Sequence, residues 1–189
     1  MRLVIAVTGA SGVIYGRRLL QVLKAKKIET HLIVSNAAQK VIEHELGLGK
    51  KDFDKLADHV YEEGDLTSPL MSGSFKTDGM IIIPCSMKTL SGIVHGFADN
   101  LILRAADVTL KERRRLVIVP RETPLSTIHL RNMLTAAELG VSVVPAMPAF
   151  YHKPKNIDDM VDFVVGRVLD CFGLQHDLFK RYSGMKPKS

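Results

Sequence analysis

The sequence predicts an α/β protein built on a single doubly wound parallel sheet, Rossmann- or flavodoxin-like, with helices on both faces. Three observations carry this. Short, continuous, β-branched apolar runs recur along the 189 residues, segments of helical periodicity separate them, and the first run leads directly into a glycine-rich turn. Continuous apolar strands are those covered on both faces, and strict alternation of strand and helix implies parallel pairing through right-handed crossovers.

The elements follow in order. Residues 3–7 (LVIAV) form the first strand and residues 12–26 the first helix. Strands are expected at 30–34, 79–83, 116–119 and 141–144, and helices at 36–46, 87–97, 100–113, 125–138 and 157–171. Thr123-Pro124 reads as an N-cap and first helical residue, and Asn156 with Asp159 resembles a capping box. Residues 47–77, with Gly47, Gly49, Gly64 and Ser68-Pro69, make the one irregular stretch, expected to carry function or to meet a neighbouring subunit. The segment 90–110 is too apolar for a helix pair with a wet outer face, which suggests subunit contacts.

Composition narrows the function. A chain of this length with 46% hydrophobic residues folds as one domain, burying roughly 70% of its unfolded surface, with a short tail at 176–189. Cys85 and Cys171 lie in apolar segments and no secretory leader is read, so reduced thiols in a cytoplasmic setting are expected. The seven histidines show no metal-ligand spacing, so no metal is expected. Apolar runs fall far short of the roughly twenty residues that span a bilayer. The net charge of +6 favours acidic ligands. Its densest cluster, Lys111-Glu112-Arg113-Arg114-Arg115, contains an acid and no aromatic residue, which argues against nucleic acid and for small phosphorylated ligands.

The motifs agree with that choice. TGASGVIYG, residues 8–16, places Gly9, Gly12 and Gly16 between a strand and a helix, with Ser11 as N-cap and as a hydroxyl aimed at an anion. Its spacing departs from G-x-G-x-x-G, and the second strand ends in Ser35-Asn36, where a dinucleotide binder usually carries an acid. A mononucleotide site is the reading. PCSMKTLSG, residues 84–92, is a second ligand-binding turn. Arg121-Glu122 follows the fourth strand, where a carboxyl beside a bound phosphate can exchange a proton. Tyr151, in the rigid turn PAMPAFYH, and Arg167 in the next helix make a phosphate clamp.

Taken together, VTGASGVIYG, PCSMKTLSGIVHGFADNLILRAADV, LKERRRLVIVPRETPLSTIHLRNML and PAMPAFYHKP resemble the UbiX-type flavin prenyltransferases over residues 1–175. The resemblance implies a flavin-binding domain at 1–175 and a tail at 176–189 that covers the site or is disordered. It implies joining a dimethylallyl group, supplied as the monophosphate, to N5 and C6 of reduced FMN without a metal, the product serving a separate decarboxylase. Carried onto this chain, it gives Gly9, Ala10, Ser11, Ser35, Ser86, Met87, Lys88, Thr89 and Arg121 as FMN ligands, and Tyr151 and Arg167 as ligands of the prenyl phosphate. Glu122, Lys111, Arg104 and Ser11 would carry the catalysis, with Glu45 at a further polar position and Lys111 also on the phosphate. A dodecamer with sites between subunits is implied, as is a soluble protein without nucleic-acid or membrane partners. Tyr182 stands where some relatives carry Trp, so the lid over the prenyl pocket is expected to differ. Two alternatives share the fold: a flavin-dependent cysteine decarboxylase, disfavoured by PCSMKTLSG in place of an Asn-bearing loop, and a non-enzymatic FMN carrier, disfavoured by the second phosphate clamp.

Overall fold

A computed structural model describes residues 1–184. Six parallel strands form one sheet in the order β3-β2-β1-β4-β5-β6. They are β1 (Arg2–Val7), β2 (Glu29–Val34), β3 (His59–Glu62), β4 (Gly79–Cys85), β5 (Arg115–Pro120) and β6 (Ser142–Val143). β1 pairs with β2 on one side and β4 on the other, all parallel, so the chain winds outward to β3 and returns to build the second half from β4. The order reverses between β1 and β4. Ligands of such sheets bind in the crevice that this reversal opens at the carboxyl ends of the strands.

Alternation along each strand divides the core in two. Leu3, Ile5 and Val7 of β1 and Ile81 and Ile83 of β4 pack under α1 (Val13–Ala25), α2 (Asn36–Leu46), α3 (Lys50–Asp54) and α7 (Ile157–Cys171). Val4, Ala6, Met80 and Ile82 point the other way, under α4 (Met87–Val94), α5 (Leu101–Lys111) and α6 (Thr127–Glu138). That is the two-faced burial expected of continuous apolar strands. The Arg18 guanidinium donates to both carboxylate oxygens of Asp162, at 2.6 and 3.0 Å, and fastens α1 to α7.

The doubly wound sheet is as the sequence predicts; four details differ. β3 and α3 arise inside residues 47–77, where no regular element was expected. β3 is a four-residue edge strand with His59, Val60 and Glu62 exposed, so it lacks the apolar signature of a covered strand. α6 starts at Thr127, not at Thr123-Pro124, because Ser126 and His129 cap each other reciprocally. Ser11 is not an N-cap: Gly12 holds that place in a left-handed conformation, φ 94°, which a side chain would strain. Much of the apolar content of 90–110 packs into the chain's own core, with Leu90, Ile93, Leu101, Ile102 and Leu103 buried, while Phe97 within it is exposed. Further exposed apolar side chains lie along α6 (Ile128, Leu130, Leu134) and in the turn bearing Met147 and Phe150. No helix among the described residues is long and apolar enough to cross a membrane.

The pairing of β2 with β3 sets His31 opposite His59, with ring centroids 4.5 Å apart. His31 Nε2 lies 3.0 Å from Glu29 Oε1 and its Nδ1 2.9 Å from the Tyr61 hydroxyl, while Arg2 donates to the same Glu29 oxygen at 2.7 Å. Burial pushes the His31 pKa below its ordinary 6.5, outweighing the pull of Glu29. Below pH 6.5 the unfolded chain therefore takes up a proton that the folded chain resists, so this residue costs stability as pH falls. Melting temperature should drop between pH 7.5 and 5.5, and His31→Gln should flatten that drop. An identical slope in the variant would contradict the assignment.

Candidate functional site

The turns that follow β1, β2 and β4 meet at the reversal point. Thr8, buried past the end of β1, donates its hydroxyl to the Pro84 carbonyl at 2.8 Å and accepts from the Ser86 N–H at 2.8 Å, locking the first turn to the turn after β4. Ser35 caps α2 by accepting from the Ala38 N–H at 3.0 Å, and Ser86 caps α4 by accepting from the Thr89 N–H at 3.3 Å. Asn100 caps α5 by accepting from the Leu103 N–H at 3.0 Å. All three caps line one cavity of about 170 Å³, together with Thr8, Gly9, Glu63, Lys88 and Thr89. Three helix N-termini thus converge, each presenting first-turn N–H groups and the positive end of its dipole. With the Lys88 ammonium they make an anion site suited to a phosphate.

Gly9 has to be glycine. A Cβ there would lie 2.5 Å from the Ala37 Cβ, so the first turn rests directly on α2. At about 170 Å³ the cavity is smaller than the roughly 300–1,000 Å³ of a complete small-ligand pocket, so it has room for one end of such a ligand. Arg121 follows β5 directly, its backbone N–H donating to the Cys85 carbonyl at 3.3 Å. Its Nε is buried without a hydrogen-bond partner among the described residues, a donor that a bound ligand would satisfy. Cys85 is fully buried and its thiol is pushed up to about 12, which rules it out as a nucleophile at neutral pH.

Of the FMN ligands expected from the sequence, Gly9, Ser35, Ser86, Lys88 and Thr89 line this cavity. Ala10, Ser11 and Met87 sit on the two turns flanking it. Glu45 lies nearby with a structural duty: its carboxylate accepts from the Gly12 and Val13 N–H groups, at 2.9 and 3.3 Å, and supplies the α1 cap expected of Ser11. Glu122 is exposed two residues past β5 and accepts from the Thr123 N–H at 2.9 Å.

Others are not brought here within one chain. Lys111 ends α5 before β5 begins, at the opposite end of the sheet, and pairs with Glu112 at 2.8 Å. The reason is topological, because α5 returns antiparallel to the strands. Arg104, two turns earlier on α5, donates to the Met71 carbonyl at 3.2 Å and to Asp107 at 2.5 Å. Tyr151 packs edge-on to Phe163 of α7 and to Tyr182, while Arg167, one turn beyond Phe163, is held by Asp170 at 2.9 Å. Arg181 and His176 of the tail share that same carboxylate, and Phe179 sits over Gly166, where a Cβ would come within 2.5 Å of its ring. Residues 176–181 are therefore docked on α7. Residues 185–189 of the expected tail lie outside the described residues.

Thr8, Asn100 and Glu63 line the cavity without having been expected as ligands. Asn100 carried a signal, an Asn directly before an apolar helical run. Glu63 carried none, since the edge strand preceding it was itself invisible.

A doubly wound sheet with a phosphate cradle at its reversal point and no acid at the end of β2 defines a mononucleotide-binding protein. The Flavoprotein family model matches residues 1–169. The flavin prenyltransferase UbiX of Methanocaldococcus jannaschii is 54% identical over 182 residues, covering 96% of this chain and 98% of that protein, so the chain belongs to the UbiX flavin prenyltransferase family. Among solved structures, a dodecameric FMN-dependent UbiX-like decarboxylase from Escherichia coli O157:H7 superposes with a TM-score of 0.95 at 53% identity, covering 97% of this chain and all of that one. AnUbiX (PadA1), in complex with FMN and dimethylallyl pyrophosphate, gives 0.96 at 49% identity, covering 98% of each chain.

Proposed function

We propose that this chain transfers a dimethylallyl group from dimethylallyl monophosphate to N5 and C6 of reduced FMN, releasing phosphate, and that the prenylated flavin passes to a separate decarboxylase. The observation that carries the proposal is the convergence of three helix N-termini and Lys88 on one cavity, in a chain of the prenyltransferase family. Reduced flavin supplies an electron-rich ring edge at N5 and C6. The protein's part would be to hold the flavin phosphate with Lys88 and the α4 and α5 termini, with the ring beside the β1 and β4 turns. Arg121 brings a buried donor that has no partner among the described residues, and Glu122 beside it would move protons as bonds form and phosphate leaves.

The second phosphate needs cations of its own. Tyr151 and Arg167 would supply a phenol donor and a planar guanidinium, with Tyr182 against Tyr151 just beyond the segment 176–181 that docks on α7. Lys111 completes the set only if a neighbouring subunit delivers it, because it lies at the far end of the sheet; Arg104, one turn into α5, is held by the Met71 carbonyl and Asp107. We read the working form as a homo-oligomer with shared sites, a dodecamer as in the E. coli relative, assembled through the apolar surface of α6, Phe97 and Phe150, and residing in the cytoplasm. The direct test is release of inorganic phosphate from dimethylallyl monophosphate under anaerobic conditions. It should require reduced FMN and stop with oxidised FMN. Release that ignores the flavin would contradict the proposal.

Arg167→Lys should weaken use of the prenyl phosphate by roughly tenfold, because a point charge lacks the planar fork that meets two phosphate oxygens. FMN affinity, measured by fluorescence quenching, should not move. Loss of FMN binding with an unchanged KM for the donor would place Arg167 on the flavin instead.

A further inference from the structure

We propose that Glu63 makes the cavity selective for a terminal phosphate monoester and turns away a flavin whose phosphate continues into a second phosphate and a nucleoside. This depends on the flavin reading above. Any discrimination against dinucleotides would need a source other than Ser35, which follows β2 and whose small hydroxyl blocks nothing.

Glu63 follows β3 directly and is held from two sides. Its carbonyl accepts from the Leu101 N–H at 2.9 Å, and its carboxylate Oε2 accepts from the Asn36 N–H at 2.8 Å. One partly buried residue therefore ties the start of α5 to the start of α2, and it lines the cavity with Asn100, Ile102 and Leu103. Two effects follow. The main-chain link to Leu101 fixes Glu63 in the wall of a cavity of only about 170 Å³, which has little room for a second phosphate beside the first. The carboxylate also occupies one of the three helix N-termini. A single phosphate can draw on Lys88 and the other two termini, whereas a second phosphate would have to settle against a fixed like charge. Specificity built from such a repulsive element costs some affinity for the accepted ligand.

That cost makes the idea testable. FMN, riboflavin and FAD are titrated against the intact oligomer and its Glu63→Gln and Glu63→Ala variants, following flavin fluorescence. Glu63→Gln keeps the shape and an acceptor oxygen for Asn36 while removing the charge. It should tighten FMN by up to roughly tenfold and leave riboflavin, which has no phosphate, unchanged. Glu63→Ala also opens the wall and should narrow the preference for FMN over FAD by roughly tenfold or more. If both variants bind FMN with the wild-type preference over FAD, Glu63 is not the selector. If FMN and riboflavin shift together, the residue shapes the pocket without reading the phosphate, and the proposal is equally overturned. Failure of the wild type itself to bind FMN would show in the first titration and would overturn the flavin reading on which this rests.

Discussion

Glu122→Gln is expected to slow prenyl transfer by roughly 10² to 10⁴ while leaving FMN affinity unchanged, the usual cost of losing one positioned acid or base. The size of the effect follows from position. Glu122 stands two residues beyond the carboxyl end of β5, beside Arg121, and its only hydrogen bond among the described residues is the one accepted from the adjacent Thr123 N–H. Such a carboxylate is little committed to holding the fold. The amide keeps volume and one acceptor oxygen, so the turn survives, but it can no longer take up and return a proton. The check is single-turnover kinetics with reduced FMN already bound, which separates chemistry from binding. Turnover near the wild-type rate would return Glu122 to the role of a turn residue.

Lys111→Ala should be similarly damaging, roughly 10² to 10³, because it removes a cation from the phosphate as negative charge develops there. The more telling outcome comes from mixing. Lys111 precedes β5 and Glu122 follows it, and six residues of parallel strand separate the two ends by about 20 Å. The two cannot serve one phosphate from the same chain. Oligomers assembled from equal amounts of the Lys111→Ala and Glu122→Gln chains should therefore recover activity that neither variant has alone, since some sites would draw an intact Lys111 from one subunit and an intact Glu122 from another. Mixed oligomers as inactive as their parents would contradict shared sites and move Lys111 out of the chemistry.

The difference between legible and illegible residues is physical. The sheet could be read because its inner strands are covered on both faces and must be continuously apolar, as β4 is, buried from Gly79 to Cys85. The phosphate turns could be read because a close approach demands glycine at Gly9 and a cap demands Ser at Ser35 and Ser86. The edge strand β3 has no such obligation. With it went Glu63, whose place in the cavity depends on a strand that propensity does not announce. Ser11 misled for a related reason, because a Ser beside a helix start is the common cap, whereas here a carboxylate from α2, Glu45, reaches back to do that work. Lys111 was legible as a functional cation from resemblance, but its distance from the cavity appears only once α5 is seen to run back along the sheet. A site completed by another chain, as proposed for Lys111, would leave no pattern in one chain's sequence.

The central claim is a new covalent bond between a C5 unit and the flavin. Mass analysis of the flavin extracted after anaerobic incubation of the protein with reduced FMN and dimethylallyl monophosphate tests it directly. FMN carrying one added C5 unit is the expected result, absent when either the protein or the prenyl phosphate is omitted. Recovery of unmodified FMN alone, from protein that has demonstrably bound it, would contradict the account.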